Sequence, residues 1–188
     1  MRKASIRWRI KNYLSKRYLG DLISVLLAKI MPKLTRGRVM ALIGTTRAVL
    51  FPKDGEPVDY GVLAHRVVTD DFAALLVDHL HGGATLGSNS FIYHAAGTNN
   101  TAESAADTDL GAEVARVAGT STEASAKVYK TVGTISFTGS YSIVEHGIFN
   151  GDTNAARVLM DRSVFSAINV QNGDQIQFTY QLTVQSGG

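Results

Sequence analysis

The sequence predicts a mainly β protein, in which an antiparallel, jelly-roll-like β-sandwich follows a short helix and a basic N-terminal helical arm. Toward the C-terminus, apolar residues recur at every second position, which is the period of a strand with one buried face. Near the N-terminus they recur at every fourth position, close to the period of a helix. The length of 188 residues suits one core with an appended arm. We therefore expect an arm, helix plus strand, at 1–53 and a β-sandwich domain at 54–188.

The predicted arm combines an apolar stripe with strong positive charge. An amphipathic helix is predicted between residues 5 and 31, because apolar residues recur there every four positions. These residues are Ile6, Ile10, Leu14, Tyr18, Leu22 and Leu26. Pro32 ends this helix, and Gly20 leaves open a division into two shorter helices. Residues 1–53 contain 13 of the 19 Lys and Arg residues but only one of the 16 acidic residues. Their net charge is therefore about +12, against about −9 for the rest of the chain.

This asymmetry predicts an anionic partner for the arm. A protein surface is favoured, and the acidic body of a neighbouring copy is one such surface, so we expect a homo-oligomer with a trimer as the favoured form. Nucleic acid stays open as the less favoured partner, because Trp8 and Tyr13 stand among basic residues. The residues expected to contact the partner are Arg7, Trp8, Arg9, Ile10, Lys11, Leu14, Arg17, Leu22 and Leu26.

The chain is not expected to enter a membrane. Its most apolar run, residues 22–28, is far shorter than the roughly 20 residues of a spanning helix. The run also lies too far from the N-terminus for a secretory signal, and basic residues follow it instead of a cleavage site. Because the initiator methionine is present, we expect the full native product.

A hairpin that crosses the boundary at Lys53 and a short helix are predicted to precede the strands of the sandwich. Apolar and β-branched runs at 39–52 and 58–68 flank turn residues at 53–55, which predicts a hairpin. A helix is predicted at about 70–81, with Thr69 as its N-cap and a stop at Gly82-Gly83. The apolar face of this helix is predicted to consist of Phe72, Leu75, Leu76 and Leu80.

The sandwich itself is predicted over about residues 88–186. Strict alternation from Gln175 to Gln185 predicts a strand whose buried face carries Ile176, Phe178, Tyr180, Leu182 and Val184. A second long strand is predicted, with Tyr129, Thr131, Gly133, Ile135 and Phe137 on one of its faces. Turns are predicted at 150–152 and 172–174, and residues 97–125 are expected to be mainly loop with one strand near 114–117. Short strands with this turn chemistry favour a β-sandwich.

Little in the sequence predicts a reactive site, and we expect no catalytic residue, no cofactor and no metal. The absence of cysteine excludes disulfides, thiolate zinc sites and cysteine nucleophiles. In Asp78-His79-Leu80-His81 the two histidines would point to different sides of a helix, so stabilisation of the helix end is favoured over metal binding. Solvated carboxylates are expected at Asp107, Asp109 and Glu113, and hydrogen-bonded structural histidines at His65, His94 and His146.

Three charged residues lie among apolar neighbours near strand ends: Glu145, Asp161 and Arg162. A buried charge is tolerated mainly when it is paired. The sequence therefore predicts structural ion pairs in which Arg162 bridges to Glu145 or Asp161 and holds loops together.

A set of motifs resembles a known family. The set comprises Tyr93-His94-x-x-Gly97-Thr98, Thr101-Ala102-Glu103-Ser104, Asp107-Thr108-x-Leu110, Glu145-His146-Gly147-x-Phe149, Leu159-Met160-Asp161-Arg162-x-Val164-Phe165 and Gly173-Asp174-x-Ile176-x-Phe178. Together these motifs resemble a group of tailed-bacteriophage virion structural proteins over about residues 58–188. The departures are Asn99, where a glycine is expected, and a longer turn at 150–157.

The resemblance implies a non-enzymatic component of the virion, made in the cytoplasm of the host bacterium. Within that class, a capsid decoration or cement protein attached through the basic arm is favoured, because one small body with one arm suits many equivalent sites. A tail, neck or fibre-attachment component is the first alternative, and a nucleic-acid-binding packaging protein is the second. An enzyme such as a glycan or peptidoglycan hydrolase is the least favoured class.

Overall fold

Strands dominate the part of the chain that the structure describes. The computed structural model describes residues 41–64, 67–83, 90–152 and 157–185. The predicted arm helix with its contact residues, Arg7 to Leu26, lies outside these ranges, and so does His65. The described ranges form β1 (Ala41–Phe51), β2 (Val58–Ala64), β3 (Val67–Val68), α1 (Asp70–His81), β4 (Tyr93–Gly97), β5 (Glu113–Ala118), β6 (Thr120–Ser125), β7 (Val128–Ser136), β8 (Tyr141–Phe149), β9 (Leu159–Val170) and β10 (Gln175–Gln185).

The strands form two five-stranded antiparallel sheets, which confirms the mainly β prediction. Sheet A has the order β2-β1-β10-β7-β6, and sheet B has the order β3-β9-β8-β4-β5. The alternation in β10 has the predicted result, because Ile176, Phe178, Tyr180 and Leu182 are all buried. Directly beside them on β7, Phe178 pairs with Gly133 and Tyr180 pairs with Thr131. One face of sheet A is therefore apolar and buried, and the other is polar.

Both sheets contribute side chains to one hydrophobic core. Sheet A supplies residues such as Ile135 and Phe178, while sheet B supplies Ile143, Phe165 and Ile168. Each fully buried side chain of this size stabilises the fold by roughly 1.5–3 kcal/mol. The core therefore identifies which face of each sheet is buried. Polar residues on these buried faces need hydrogen-bond partners.

The helix has the predicted bounds but not the whole predicted apolar face. The hydroxyl of Thr69 accepts a hydrogen bond from the N–H of Phe72 at 3.2 Å, and Gly82 ends the helix with a φ of 85°. Phe72 is buried and meets Phe91 edge to face at 5.1 Å between ring centroids. Leu75 and Leu76 are partly buried against the same cluster, whereas Leu80, in the last turn, is 85% exposed. No helix in the described ranges has the length and apolar character to cross a membrane.

The N-terminal hairpin is an integral part of sheet A. β1 pairs with β2 as predicted, but β1 also lies next to β10, so the boundary expected at Lys53 divides a sheet. Leu42 to Gln185 forms one compact unit.

A second difference from the sequence-based prediction is strand β6 at Thr120–Ser125, within the predicted loop. Every residue of β6 is exposed, so neither face of this strand requires apolar side chains. Its sequence therefore lacks the apolar alternation that would predict a strand.

Candidate functional site: three buried polar networks

Polar side chains that are almost fully buried gather on strands β4, β8 and β9 of sheet B. Their exposed fractions are 0% for His94, 0% for Glu145, 1% for His146, 2% for Asp161 and 3% for Arg162. Side chains of a strand alternate between its two faces. Glu145 and Arg162 therefore lie on one face of sheet B, whereas His146 and Asp161 lie on the face that contributes to the shared core.

The histidine network consists of His94, His146 and Thr131. Nδ1 of His94 lies 3.0 Å from Nε2 of His146, and Nε2 of His94 lies 3.1 Å from the hydroxyl of Thr131 on sheet A. The ring of His146 also stacks on Phe178 at 4.3 Å between centroids. Hydrogen bonding and ring stacking thus connect sheet B to sheet A at this point.

Burial keeps both imidazoles neutral at physiological pH. It lowers the pKa of His94 from 6.5 to about 3. Burial also lowers the pKa of His146 well below its ordinary value, and the charge that His94 would carry lowers it further. In the His94–His146 bond one ring nitrogen must therefore donate and the other must accept.

The aspartate network consists of Asp161, Tyr180, Ser163 and Thr46. Asp161 accepts hydrogen bonds from the hydroxyls of Tyr180 and Ser163, each at 3.1 Å. Ser163 lies 3.1 Å from the hydroxyl of Thr46. Burial raises the pKa of Asp161 from 3.8 to about 7, although these two hydrogen bonds oppose the rise. This network is the second polar connection between the sheets.

Asp161 therefore does not belong to the ion pair that the sequence analysis offered to it. Asp161 and Arg162 are consecutive on β9, so their side chains point to opposite faces of sheet B. The carboxylate of Asp161 points into the core, and the guanidinium of Arg162 points away from it. Its partners are hydroxyl groups instead of a cation. Of the two carboxylates that were predicted as alternatives for Arg162, the structure pairs Glu145 with it and not Asp161.

The loop network consists of Arg162, Glu145 and Asp107. Glu145 is the carboxylate that contacts Arg162, with Nε and Nη2 of the guanidinium at 2.9 and 2.8 Å from Oε2. Nη1 of Arg162 donates to Asp107 at 2.9 Å, and Nη2 donates to the carbonyl of Thr101 at 3.2 Å. Although burial opposes the charge of Arg162, these carboxylates raise the pKa of its guanidinium above its ordinary value.

Glu145 also closes the loop at 98–112. Its carboxylate accepts backbone N–H bonds from Asn99 at 3.1 Å, Gly111 at 3.1 Å and Ala112 at 2.8 Å. A side chain at position 97 would collide with Oε1 of Glu145, which explains the glycine of the Gly97-Thr98 motif. The loop is thereby attached to both β8 and β9.

Other candidate residues take structural positions. His79 and His81 are exposed in the last turn of α1, and Asp107 is engaged by Arg162. Asp109 and Glu113 both pair with Arg116, whose guanidinium lies 3.8 Å from the centre of the Phe149 ring. In the described part of the chain, no group of three or more His, Asp or Glu residues is arranged to hold a metal ion.

The contact between His94 and His146 has no signal in the local sequence. The residues are 52 positions apart, and their contact depends on the register of β4 against β8. One signal was present on another strand: Gly133 lies in the buried alternation of β7, and a Cβ there would come within 2.5 Å of the His94 ring. A glycine on an otherwise buried strand face indicates that a large group approaches from the opposite side.

The three networks connect strands and loops of the body, and their charged and ionisable groups are enclosed except for Asp107, which is 23% exposed. No protein-family model, curated protein or solved structure matches the chain. The resemblance to virion proteins is therefore carried by the sequence motifs alone.

Proposed function

We propose that this chain is a non-enzymatic structural protein of a tailed-bacteriophage virion. The observation that carries the proposal is the enclosure of the motif residues His94, Glu145, His146, Asp161 and Arg162, each at most 3% exposed. A catalytic acid, base or nucleophile must reach its substrate. These groups instead contact one another, neighbouring buried hydroxyls and the backbone, so we interpret the motifs of the resemblance as structural.

The strand pairing supports a jelly-roll-like sandwich as the finer description of this body. Four pairs of neighbouring strands are nested, meaning that each pair lies between the two strands of the preceding pair in chain order. The pairs are β1 with β10, β3 with β9, β4 with β8, and β6 with β7. Nested pairs of this kind arise when one long hairpin is wrapped into two sheets, and viral capsid proteins are among the users of jelly rolls. Four further neighbouring pairs do not belong to this nested set: β1 with β2, β4 with β5, β7 with β10, and β8 with β9.

Within the virion, we place the protein on the capsid as a decoration or cement protein. Residues 1–53 bear a net charge of about +12 and the rest of the chain bears about −9, so arm and body attract complementary surfaces. Many weak contacts of equivalent copies stabilise a shell by mass action. A homo-oligomer, with a trimer favoured, would present several arms to the shell together.

A tail, neck or fibre-attachment role is the alternative with the same body and a different location. A packaging role through nucleic acid is a second alternative, supported by the same positive charge of the arm. In that case DNA affinity would fall steeply with salt concentration, whereas attachment by apolar side chains would not.

Particle attachment of arm variants tests the proposal. Replacing Ile10, Leu14 and Leu22 with Ser should abolish co-sedimentation with particles at any salt concentration, because buried apolar area supplies the affinity. The matched variant replaces Arg7, Arg9 and Lys11 with Gln and should weaken attachment mainly at low salt, where charge attraction is strongest. If the charge variant alone abolishes attachment, the arm binds a polyanion and the packaging role is favoured.

A further inference from the structure

A polar groove crosses the face of sheet A that points away from the core. It has a volume of about 290 Å³ and is lined by side chains from three neighbouring strands, β1, β10 and β7. Those that the argument uses are Arg47, Lys130, Gln177, Thr179 and Gln181. All three buried networks lie elsewhere, so the groove is a separate feature of the molecule.

The floor of the groove restricts what can bind there. The strands beneath it are hydrogen bonded to one another in the interior of the sheet, so their backbone groups are already paired. An extended peptide could not add a strand at this position, because strand addition needs a free edge. A ligand must therefore be recognised by side chains alone.

The chemistry of the lining favours hydroxyl groups. The amide of Gln177 donates one hydrogen bond to Thr134 at 3.4 Å and keeps a second N–H and its carbonyl oxygen, while Gln181 adds an amide and Thr179 a hydroxyl. Sugar hydroxyls also donate and accept, so they match this pattern. Among the described residues no aromatic ring lines the groove, which removes the stacking platform that single-stranded nucleic acids use.

The charges of the lining favour an anionic ligand. Arg47 pairs with Asp59 at 3.2 Å, but the two side chains are 53% and 57% exposed, so this pair is weak and exchangeable. Within the described ranges no carboxylate lies in ion-pair distance of Lys130. A carboxylate on the ligand could therefore contact Lys130 and compete with Asp59 for Arg47.

We propose that this groove binds an acidic polysaccharide, with a uronate carboxylate held by Lys130 and Arg47 and sugar hydroxyls held by Gln177, Gln181 and Thr179. The proposal stands on the described body and does not depend on a virion role. The exposed polar face of sheet A would then bind the ligand, while the buried face of the same sheet packs in the core.

Titration of the full chain with trigalacturonate, followed by the side-chain amide NMR signals of Gln177 and Gln181, tests the proposal. A short ligand and a local signal are used because the basic arm would attract any long polyanion. We expect both signals to shift with trigalacturonate and not with the neutral maltotriose. Lys130→Gln should raise the dissociation constant at least fivefold, whereas Lys127→Gln, with the same change of charge outside the groove lining, should leave it within twofold.

Three results would overturn the proposal. The first is that trigalacturonate leaves both signals unmoved in the wild-type chain. The second is equal weakening by Lys130→Gln and Lys127→Gln, which would indicate a general charge effect. The third is an equal shift with inorganic phosphate, which would indicate an unselective anion site. Preserved backbone signals in each variant show that the fold is intact.

Discussion

Replacing Glu145 with alanine should destabilise the body more than any exposed ionic substitution. The carboxylate is fully buried and accepts hydrogen bonds from Arg162 and from three backbone N–H groups of the loop at 98–112. Its removal leaves a buried guanidinium with Asp107 as its remaining carboxylate partner. Breaking a buried pair in this way costs roughly 3–5 kcal/mol.

Urea unfolding measures this loss as a change in the free energy of unfolding. With a denaturant dependence of about 2 kcal/mol per molar urea, the midpoint should fall by roughly 2 M. Asp59→Asn is the matched control, because it removes a carboxylate from an ion pair whose side chains are more than half exposed. The control should cost less than about 1 kcal/mol. Similar losses for the two variants would show that burial does not set the contribution of Glu145 to stability.

Further predictions concern the two core networks and the helix cap. Gly133→Ala should lower the free energy of unfolding by about 1–3 kcal/mol, because the new Cβ would lie 2.5 Å from the His94 ring; an unchanged thermal midpoint would argue against this contact. Asp161→Asn should gain stability relative to wild type as pH rises from about 4 to about 7, since the raised pKa of Asp161 makes the folded state prefer the protonated acid and wild type loses stability over that window. A difference that stays constant in urea unfolding at pH 5 and pH 8 would contradict this assignment. Thr69→Ala should cost about 1 kcal/mol through the lost N-cap, measurable as faster amide exchange at Phe72.

The local elements were predictable where one residue type or period decides them. Strict alternation predicts β10, and Thr69 with Gly82 sets the ends of α1. The polar edge strand β6 has no such signal, because neither of its faces is buried. The exposure of Leu80 could not be predicted from the sequence either, because the apolar pattern of the helix does not show which of its turns are covered by other elements.

The candidate site was predictable only in part, because it depends on strand register. That Glu145, Asp161 and Arg162 need partners follows from charges among apolar neighbours. Which carboxylate faces Arg162 follows from the pairing of Gly147 with Arg162 and of Ile148 with Asp161, and one step along β9 reverses the face. The contact of His94 with His146 likewise requires the register of β4 on β8.

The number of copies of this chain per phage particle tests the proposed structural role. Quantitative mass spectrometry of phage particles purified from a host that expresses the chain, scaled to the major capsid protein, gives that number. A decoration protein should be present in hundreds of copies that remain on the shell in high salt. A dozen or fewer copies would place the protein at the neck or tail, and absence from purified particles would contradict the structural role altogether.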